Sequence, residues 1–448
     1  MAIIASDSRI IVIGLGKTGL SCARYFARKG IRFSVADTRE TPPNLAAFQA
    51  EFPSVEVRCG ALDGDWLKSA SELVVSPGIA IATPEIAAAA EAGVNVVGDI
   101  ELFCREVTAP IAAITGSNAK STVTQWLGEM AKADGIDVAV AGNIGTPVLD
   151  LLATGEQAMY ILELSSFQLE TTHSLKAKAA TVLNVSPDHM DRYDSLMHYY
   201  NTKQRIYLGS ELAVVNGDDP LSRPLMRVGM KTVEFRNTSP DFGRYGVAKT
   251  PQGPWLASQS KRYLPLSELK VKGSHNVSNA LAAIAMAEGM GISEDAIVTA
   301  LKSFPGLEHR CQWVGDYQGV AFYNDSKGTN VGATQAALEG LGAGEGKLVL
   351  IAGGVGKGAD FSPLKALVAR YCRGLVLIGE DANAIDEAVG FTATDYAAST
   401  EEALEKAFAM AQEGDAVLLS PACASFDMYK SFEHRGECFV AAFKELAQ

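Results

Sequence analysis

Thr115-Gly116-Ser117-Asn118-Ala119-Lys120-Ser121-Thr122 holds the clearest chemistry in the chain. An apolar run over Ile111–Thr115 leads into it, and a helical pattern from Ser121 to about Ala133 leads out. A strand, turn and helix in this order aim free backbone N–H groups at an anion. Lys120 can then bridge the β- and γ-phosphates of a nucleoside triphosphate, and the Ser121 hydroxyl can ligate Mg²⁺. The segment departs from a strict Walker sequence. Ala119 stands where glycine usually precedes the lysine, and its methyl restricts a backbone that normally exploits glycine's freedom. Read alone, the segment also admits a plain helix N-cap by Ser121.

A phosphate loop needs an acid for its metal. Glu163 lies at the end of an apolar run, where a buried carboxylate requires a cation. Asp188-His189-Met190-Asp191-Arg192 follows another apolar run and places an imidazole where it could ligate a second metal, although a lone histidine is more often structural. A second glycine turn, Gly14-Leu15-Gly16-Lys17-Thr18-Gly19, sits between a strand and a helix, and Asp37 closes the next strand. Such a loop suits a diphosphate, with Asp37 accepting from a ribose or base; NAD is its usual ligand and an unliganded turn the alternative. His275-Asn276-Val277-Ser278-Asn279 puts two amides on one helix face, where they could bond an adenine or Asn276 could simply cap. Asn324-Asp325-Ser326-Lys327-Gly328-Thr329-Asn330, Gly353 to Lys357 and Ser420 to Ser425 are polar loops at neighbouring strand ends. Together they suggest one anion-binding crevice.

Positioning such groups requires sheets, and the chain is long enough for several. Its 448 residues suggest ~3 domains. With 48% hydrophobic and 20% charged residues it reads as a soluble α/β protein. A net charge of −13 argues against a nucleic-acid partner and demands that cations be concentrated locally. No apolar run reaches the ~18 residues of a membrane span, and residues 1–8 do not read as a signal peptide. Seven scattered cysteines without a CxxC pair read as reduced thiols in the cytoplasm and no zinc site. Strand-like runs alternate with helices in three blocks, which predicts parallel sheets with ligands at the carboxyl ends. The first block has strands near 9–14, 32–36, 73–75 and 94–97. The second has 111–115, 160–164, 181–185 and 212–215, then a small antiparallel patch over about 228–266. The third, from about 306, has 320–324, 347–352, 375–378 and 416–419.

Taken in order with Gly142-Asn143-Ile144-Gly145 and the run Glu163 to Glu170, these segments resemble the Mur ligases from about residue 9 to 440. The resemblance implies three domains. Residues 1–98 would form a Rossmann-like domain for a UDP-sugar, 99–307 a central P-loop ATPase domain with a parallel sheet and antiparallel patch, and 308–448 a Rossmann-like domain for an amino acid. It implies a cytoplasmic, monomeric, ATP-dependent ligase. Such an enzyme would add D-glutamate to UDP-N-acetylmuramoyl-L-alanine through an acyl phosphate, in peptidoglycan synthesis, with Mg²⁺ at two sites. UDP rather than NAD would then occupy Gly14, Gly16 and Gly19, lined by Lys17, Thr18, Asp37, Thr38, Arg39 and Ser76-Pro77-Gly78. Asn143, Ser165, Gln168 and His189 would touch the acceptor. ATP would take residues 116–122 with Asn276, Asn279, Arg310 and Asp325, and Lys327 would approach the γ-phosphate. Thr329, Lys357, Ser425, Phe426 and Phe432 would hold D-glutamate. Lys203 matches the lysine that the family carries as a carbamate, so the implied metal set is Ser121, Glu163, His189 and carbamylated Lys203. A different Mur enzyme or a folylpolyglutamate synthetase is the runner-up, and an NAD-dependent dehydrogenase would leave Lys120 to Thr122 unexplained.

Overall fold

The computed structural model describes residues 9–225, 229–344 and 346–447. Residues 1–8 and the start of the expected antiparallel patch at Val228 lie outside them. Short runs of β-branched and apolar residues form the strands of three sheets, and central strands such as Ile10–Ile13, Ile111–Thr115 and Leu348–Gly353 are buried on both faces. The first sheet is all parallel, in the order Val57–Cys59, Phe33–Asp37, Ile10–Ile13, Glu72–Val75, Asn95–Val97. Chain order reverses beside Ile10–Ile13, and the first glycine turn follows that strand. Gly19 packs against this turn so tightly that a Cβ there would sit 1.8 Å from the Gly14 carbonyl oxygen, which only glycine avoids.

The second sheet has nine strands. Val138–Gly142, Met159–Glu163, Ile111–Thr115, Ala179–Val182, Leu212–Asn216, Lys231–Phe235 and Arg244–Thr250 run parallel. Gly253–Ser258 and Arg262–Pro265 then complete it antiparallel. The expected patch is therefore the far edge of this sheet, joined to it strand by strand. The carboxyl ends of Ile111–Thr115 and Met159–Glu163 lie side by side, which brings the phosphate loop next to Glu163. Helix Lys120–Ala133 is anchored by the fully buried Trp126, stacked on Phe304 at 4.6 Å between ring centres.

Six strands make the third sheet: Gln312–Tyr317, Val320–Asn324, Ala416–Leu419, Leu348–Gly353, Cys372–Ile378 and Thr394–Tyr396. All pairings are parallel except that of the edge strand Gln312–Tyr317. The first and second sheets share one apolar cluster running from Ile10 to Val215. The third keeps two clusters of its own. No helix among the described residues is long and apolar enough to cross a membrane.

Candidate active site

The phosphate loop is braced from the next strand. Asn184, just beyond Ala179–Val182, accepts from Asn118 N at 2.7 Å and donates to Asn118 O at 3.2 Å. Ala119 takes φ 66° and ψ −3°, so an L residue occupies the left-handed conformation the turn demands. It is Ala119, not Ser121, that occupies the helix N-cap. The Ser121 hydroxyl instead accepts from Arg310 Nη2 at 2.7 Å.

Two lysines converge on this loop. Lys120 Nζ donates to the carbonyls of Gly116 (2.8 Å) and Ser117 (2.9 Å). Lys203, from helix Leu196–Gln204 and only 1% exposed, donates to the same Gly116 carbonyl at 3.0 Å and to Thr115 Oγ1 at 3.4 Å. Neither forms an ion pair among the described residues. Burial, reinforced by Lys120, holds the Lys203 ammonium well below the ordinary lysine range. Lys120 is depressed too, by burial, against the attraction of Glu163 and Asp188. A lysine so placed is easily deprotonated, and the neutral amine is the form that adds CO₂.

Across the cavity Asn143 Nδ2 donates to Glu163 Oε1 at 2.8 Å, while the buried Oε2 has no partner. That orphaned carboxylate oxygen fits a hard cation. His189 sits at φ 56°, its ring 4.8 Å from that of Phe167. Burial lowers its pKa, Asp188 opposes this, and Lys357 and Lys120 add to it, which favours a neutral, ligating imidazole. Among the described residues no three His, Cys, Asp or Glu side chains are grouped to hold a metal by themselves. A cation at Glu163 would therefore need donors beyond these residue types.

Three cavities meet here. The central one, about 620 Å³, is lined by Ser117 to Ser121, Asn143, Glu163, Ser165, His189 and Lys203 of the second block. Arg310, Lys327, Thr329, Lys357, Ser425, Phe426 and Phe432 line it from the third. A neighbour of about 350 Å³ is lined by Thr122, Asn276, Asn279 and Asp325, and shares Asn118, Ala119, Arg310 and Lys327 with the first. The third, about 450 Å³, holds Gly14, Gly16, Lys17, Thr18, Asp37, Thr38, Arg39, Ser76, Pro77, Gly78 and Gln168, and shares Asn143 with the centre. Of the residues singled out from sequence, Gly19 and Gly116 line none of the three. They act through backbone, Gly19 by close packing and Gly116 through its carbonyl.

Several side chains are engaged differently from the sequence expectation. Asp37 faces its pocket, but Leu15 N (2.6 Å) and the Arg39 backbone and guanidinium (2.7–2.9 Å) already take its oxygens. It holds the turn and presents Arg39 rather than offering a free acceptor. Ser165 and Gln168 form a reciprocal capping box on helix Ser166–Glu170. Asn276 does not cap its helix; Gly273 does, and Asn276 bonds Lys272 O and Asn279. Asp325 accepts from Cys311 N and Ser420 Oγ, and burial raises its pKa to about 6.

Lys327 Nζ lies 3.7 Å from the centre of the Phe432 ring, and burial pushes its pKa down to about 8. Four further residues had no assigned role in the sequence reading. Asn184 braces the loop, and Tyr199 approaches Ser117 Oγ at 3.2 Å. Glu433 lines the central cavity. The fully buried Arg435 ties Ser326 to the Cys423 carbonyl, with bonds of 2.9–3.0 Å. Their signal in sequence is only their place beside a strand end or a motif.

Residues 8–98 match the family described as Mur ligase MurD-like, N-terminal domain. Residues 114–287 match the Mur ligase middle domain, and 309–423 the Mur ligase, glutamate ligase domain. The chain is 56% identical, over all of both sequences, to UDP-N-acetylmuramoylalanine--D-glutamate ligase of Pseudomonas aeruginosa. It is 51% identical to the ligase of the same name from Hahella chejuensis, over 98% of each. Its fold is similar to that of MurF ligase from Thermotoga maritima, solved with ADP, at TM-score 0.63 and 16% identity, covering 100% of this chain and 98% of that one. A pseudomurein peptide ligase type C from Methanothermus fervidus gives TM-score 0.60 at 20% identity, over 98% and 100%.

Proposed function

The chain belongs to the Mur ligase family, and on that premise we propose that it joins D-glutamate to UDP-N-acetylmuramoyl-L-alanine in peptidoglycan synthesis, with ATP consumed. The observation that carries the reading is the junction of three cavities at a cluster of cations. The pocket of the first glycine turn opens through Asn143 onto Glu163 and Lys120, and the pocket of Asn276 and Asn279 opens onto the same point through Lys327 and Arg310.

In this reading residues 1–98 bind the UDP part, 99–307 bind ATP and 308–448 supply D-glutamate. The site residues act in the roles given above, and the reaction takes place in the cytoplasm. A carboxylate and an amine do not condense in water, because the amine is protonated and hydroxide leaves poorly. Transfer of the γ-phosphoryl group to the acceptor carboxylate replaces that leaving group by phosphate. The D-glutamate amine, once its ammonium proton has passed to solvent, attacks the acyl carbon; phosphate departs and the nitrogen sheds a second proton to solvent as the amide forms. Lys120, Arg310 and Lys327 offset charge on the transferring group, and their placement costs nothing at the moment of reaction. His189 and Asn143 orient the acceptor carboxylate. Lys357, with Thr329 and Ser425, pairs a carboxylate of the amino acid, while Phe432 keeps Lys327 in place. Mg²⁺, held by Ser121, Glu163, His189 and a Lys203 carbamate, would supply charge neutralisation between the phosphates and the acceptor.

The deciding measurement is phosphate release that requires UDP-N-acetylmuramoyl-L-alanine and D-glutamate together. Release independent of either substrate rejects the assignment. For Lys203, mass spectrometry under CO₂ should find the carbamate. Lys203→Ala should be inactive and regain part of its turnover with a short carboxylic acid. Full activity of the alanine variant would remove Lys203 from the site.

A further inference from the structure

We propose that Asn330 is a positioning residue that fixes the third block onto the phosphate loop, so that the cations of one body are registered on the nucleotide held by the other. This rests on the ligase reading above. Asn330 caps helix Val331–Leu341, its Oδ1 accepting from Ala333 N at 2.8 Å. Capping uses only that oxygen. The same side chain also reaches across to the second block. Nδ2 donates to Asn118 Oδ1 at 3.2 Å and to Asp188 Oδ2 at 3.1 Å, and Oδ1 accepts from Asn118 Nδ2 at 3.3 Å. Both donors and both acceptor positions of one amide are thereby used.

The two partners are themselves parts of the machinery. Asn118 belongs to the phosphate loop and is braced by Asn184. Asp188 accepts from His189 N at 3.0 Å. Asn330 therefore links three segments: the nucleotide loop, the His189 loop, and the strand-end loop that carries Lys327 and Thr329. Its neighbour Gly332 shows how closely the bodies meet. A Cβ there would lie 2.7 Å from Ser186 Oγ, 3.0 Å from Ser186 Cβ and 3.4 Å from Asn118 Nδ2. The apolar clusters of the third block are separate from those of the other two, so polar bonds such as these set its register. Phosphoryl transfer is sensitive to misplacement of ~1 Å, which makes that register matter for rate.

The chemistry of the side chain supplies the test. Serine at 330 keeps the cap but is too short to reach Asn118. Aspartate keeps the cap and the Asn118 Nδ2 bond, yet sets a second carboxylate against Asp188. Turnover of the full-length protein would be measured with saturating ATP and UDP-N-acetylmuramoyl-L-alanine and varied D-glutamate. Alongside it, melting temperature would be recorded, and the distance between helices Glu294–Ser303 and Leu364–Tyr371 would be read by spin-label spectroscopy with a non-hydrolysable ATP analogue. We expect kcat/KM for D-glutamate to fall about tenfold in Asn330→Ser and about a hundredfold in Asn330→Asp, with a broadened distance distribution and melting within about 2 °C of wild type. Gly332→Ala, which favours the helix but intrudes on Ser186, should melt no lower than wild type and lose turnover likewise. It decides the matter if the Asn330 variants prove unstable. Wild-type rates and distances in all three variants would show that Asn330 is a helix cap only. Wild-type protein without substrate-dependent phosphate release would instead reject the ligase reading, and the distances would still decide the link.

Discussion

Ala119 is one of two departures from a strict Walker sequence, the other being the lack of a glycine five residues before it, and its backbone turns that departure into a measurable quantity. An L residue at φ 66° carries ~1–2 kcal/mol of steric cost that glycine lacks. Replacing it by glycine also frees the unfolded chain, which returns ~0.4–1 kcal/mol, and forfeits a few tenths for a half-buried methyl. The balance favours Ala119→Gly by about 0.5 kcal/mol. Valine is the informative opposite, since a β-branched residue in this region is a genuine outlier; Ala119→Val should lose at least about 1–2 kcal/mol more. Calorimetry should then order the melting temperatures Gly, Ala, Val over a span of ~4–8 °C, taking ~2–4 °C per kcal/mol for a unit of this size. KM for ATP should rise in the same order, because the same backbone angle aims the loop amides at phosphate. A valine variant as stable as wild type, or a glycine variant less stable, would mean that Ala119 carries no left-handed strain and that the reasoning is wrong.

Three further outcomes follow from the site. Lys120→Ala should lower turnover by about 10²–10³-fold or more while calorimetric binding of the UDP-substrate is largely kept, since that pocket is lined mainly by the first block and Lys120 is not among its residues. With Lys327 acting as a cation at a pKa of about 8, its contribution to turnover should be full below that value and fall as pH rises through it; Lys327→Arg should move this alkaline limb upward in a pH–rate profile. D-Alanine lacks the second carboxylate of D-glutamate, so the donors Lys357, Thr329 and Ser425 that line the cavity would have one carboxylate to pair in place of two, and it should react at least about tenfold more slowly, as read by product analysis.

The sequence exposes the strands that are mostly buried. Ile111–Thr115, Val320–Asn324 and Ala416–Leu419 are continuous apolar runs, and their observed limits coincide with the expected ones. Val138–Gly142 was missed because alanine, glycine and valine in alternation carry little hydrophobic signal. Gln312–Tyr317 was missed because this half-exposed edge strand mixes charged, polar and aromatic residues. In the site, residue types that must meet phosphate are legible from motifs. Partnerships between motifs are not. Nothing local to Asn330 announces a bond to Asn118, and nothing local to Asp37 shows that Leu15 N takes one of its oxygens. Such bonds are set by how strand ends from distant parts of the chain are brought together.

Lys120, Arg310 and Lys327 are depressed by burial, and none is ion-paired among the described residues of a chain whose net charge is −13. The folded protein thus stores positive charge whose natural counter-ions are the substrates. By mass action a ligand at 100 times its dissociation constant adds ~2.7 kcal/mol to the folded state. Persistence of this enzyme against unfolding and proteolysis should therefore track the supply of ATP and UDP-sugar. When these run short, the unoccupied cation cluster makes the catalyst a better substrate for degradation.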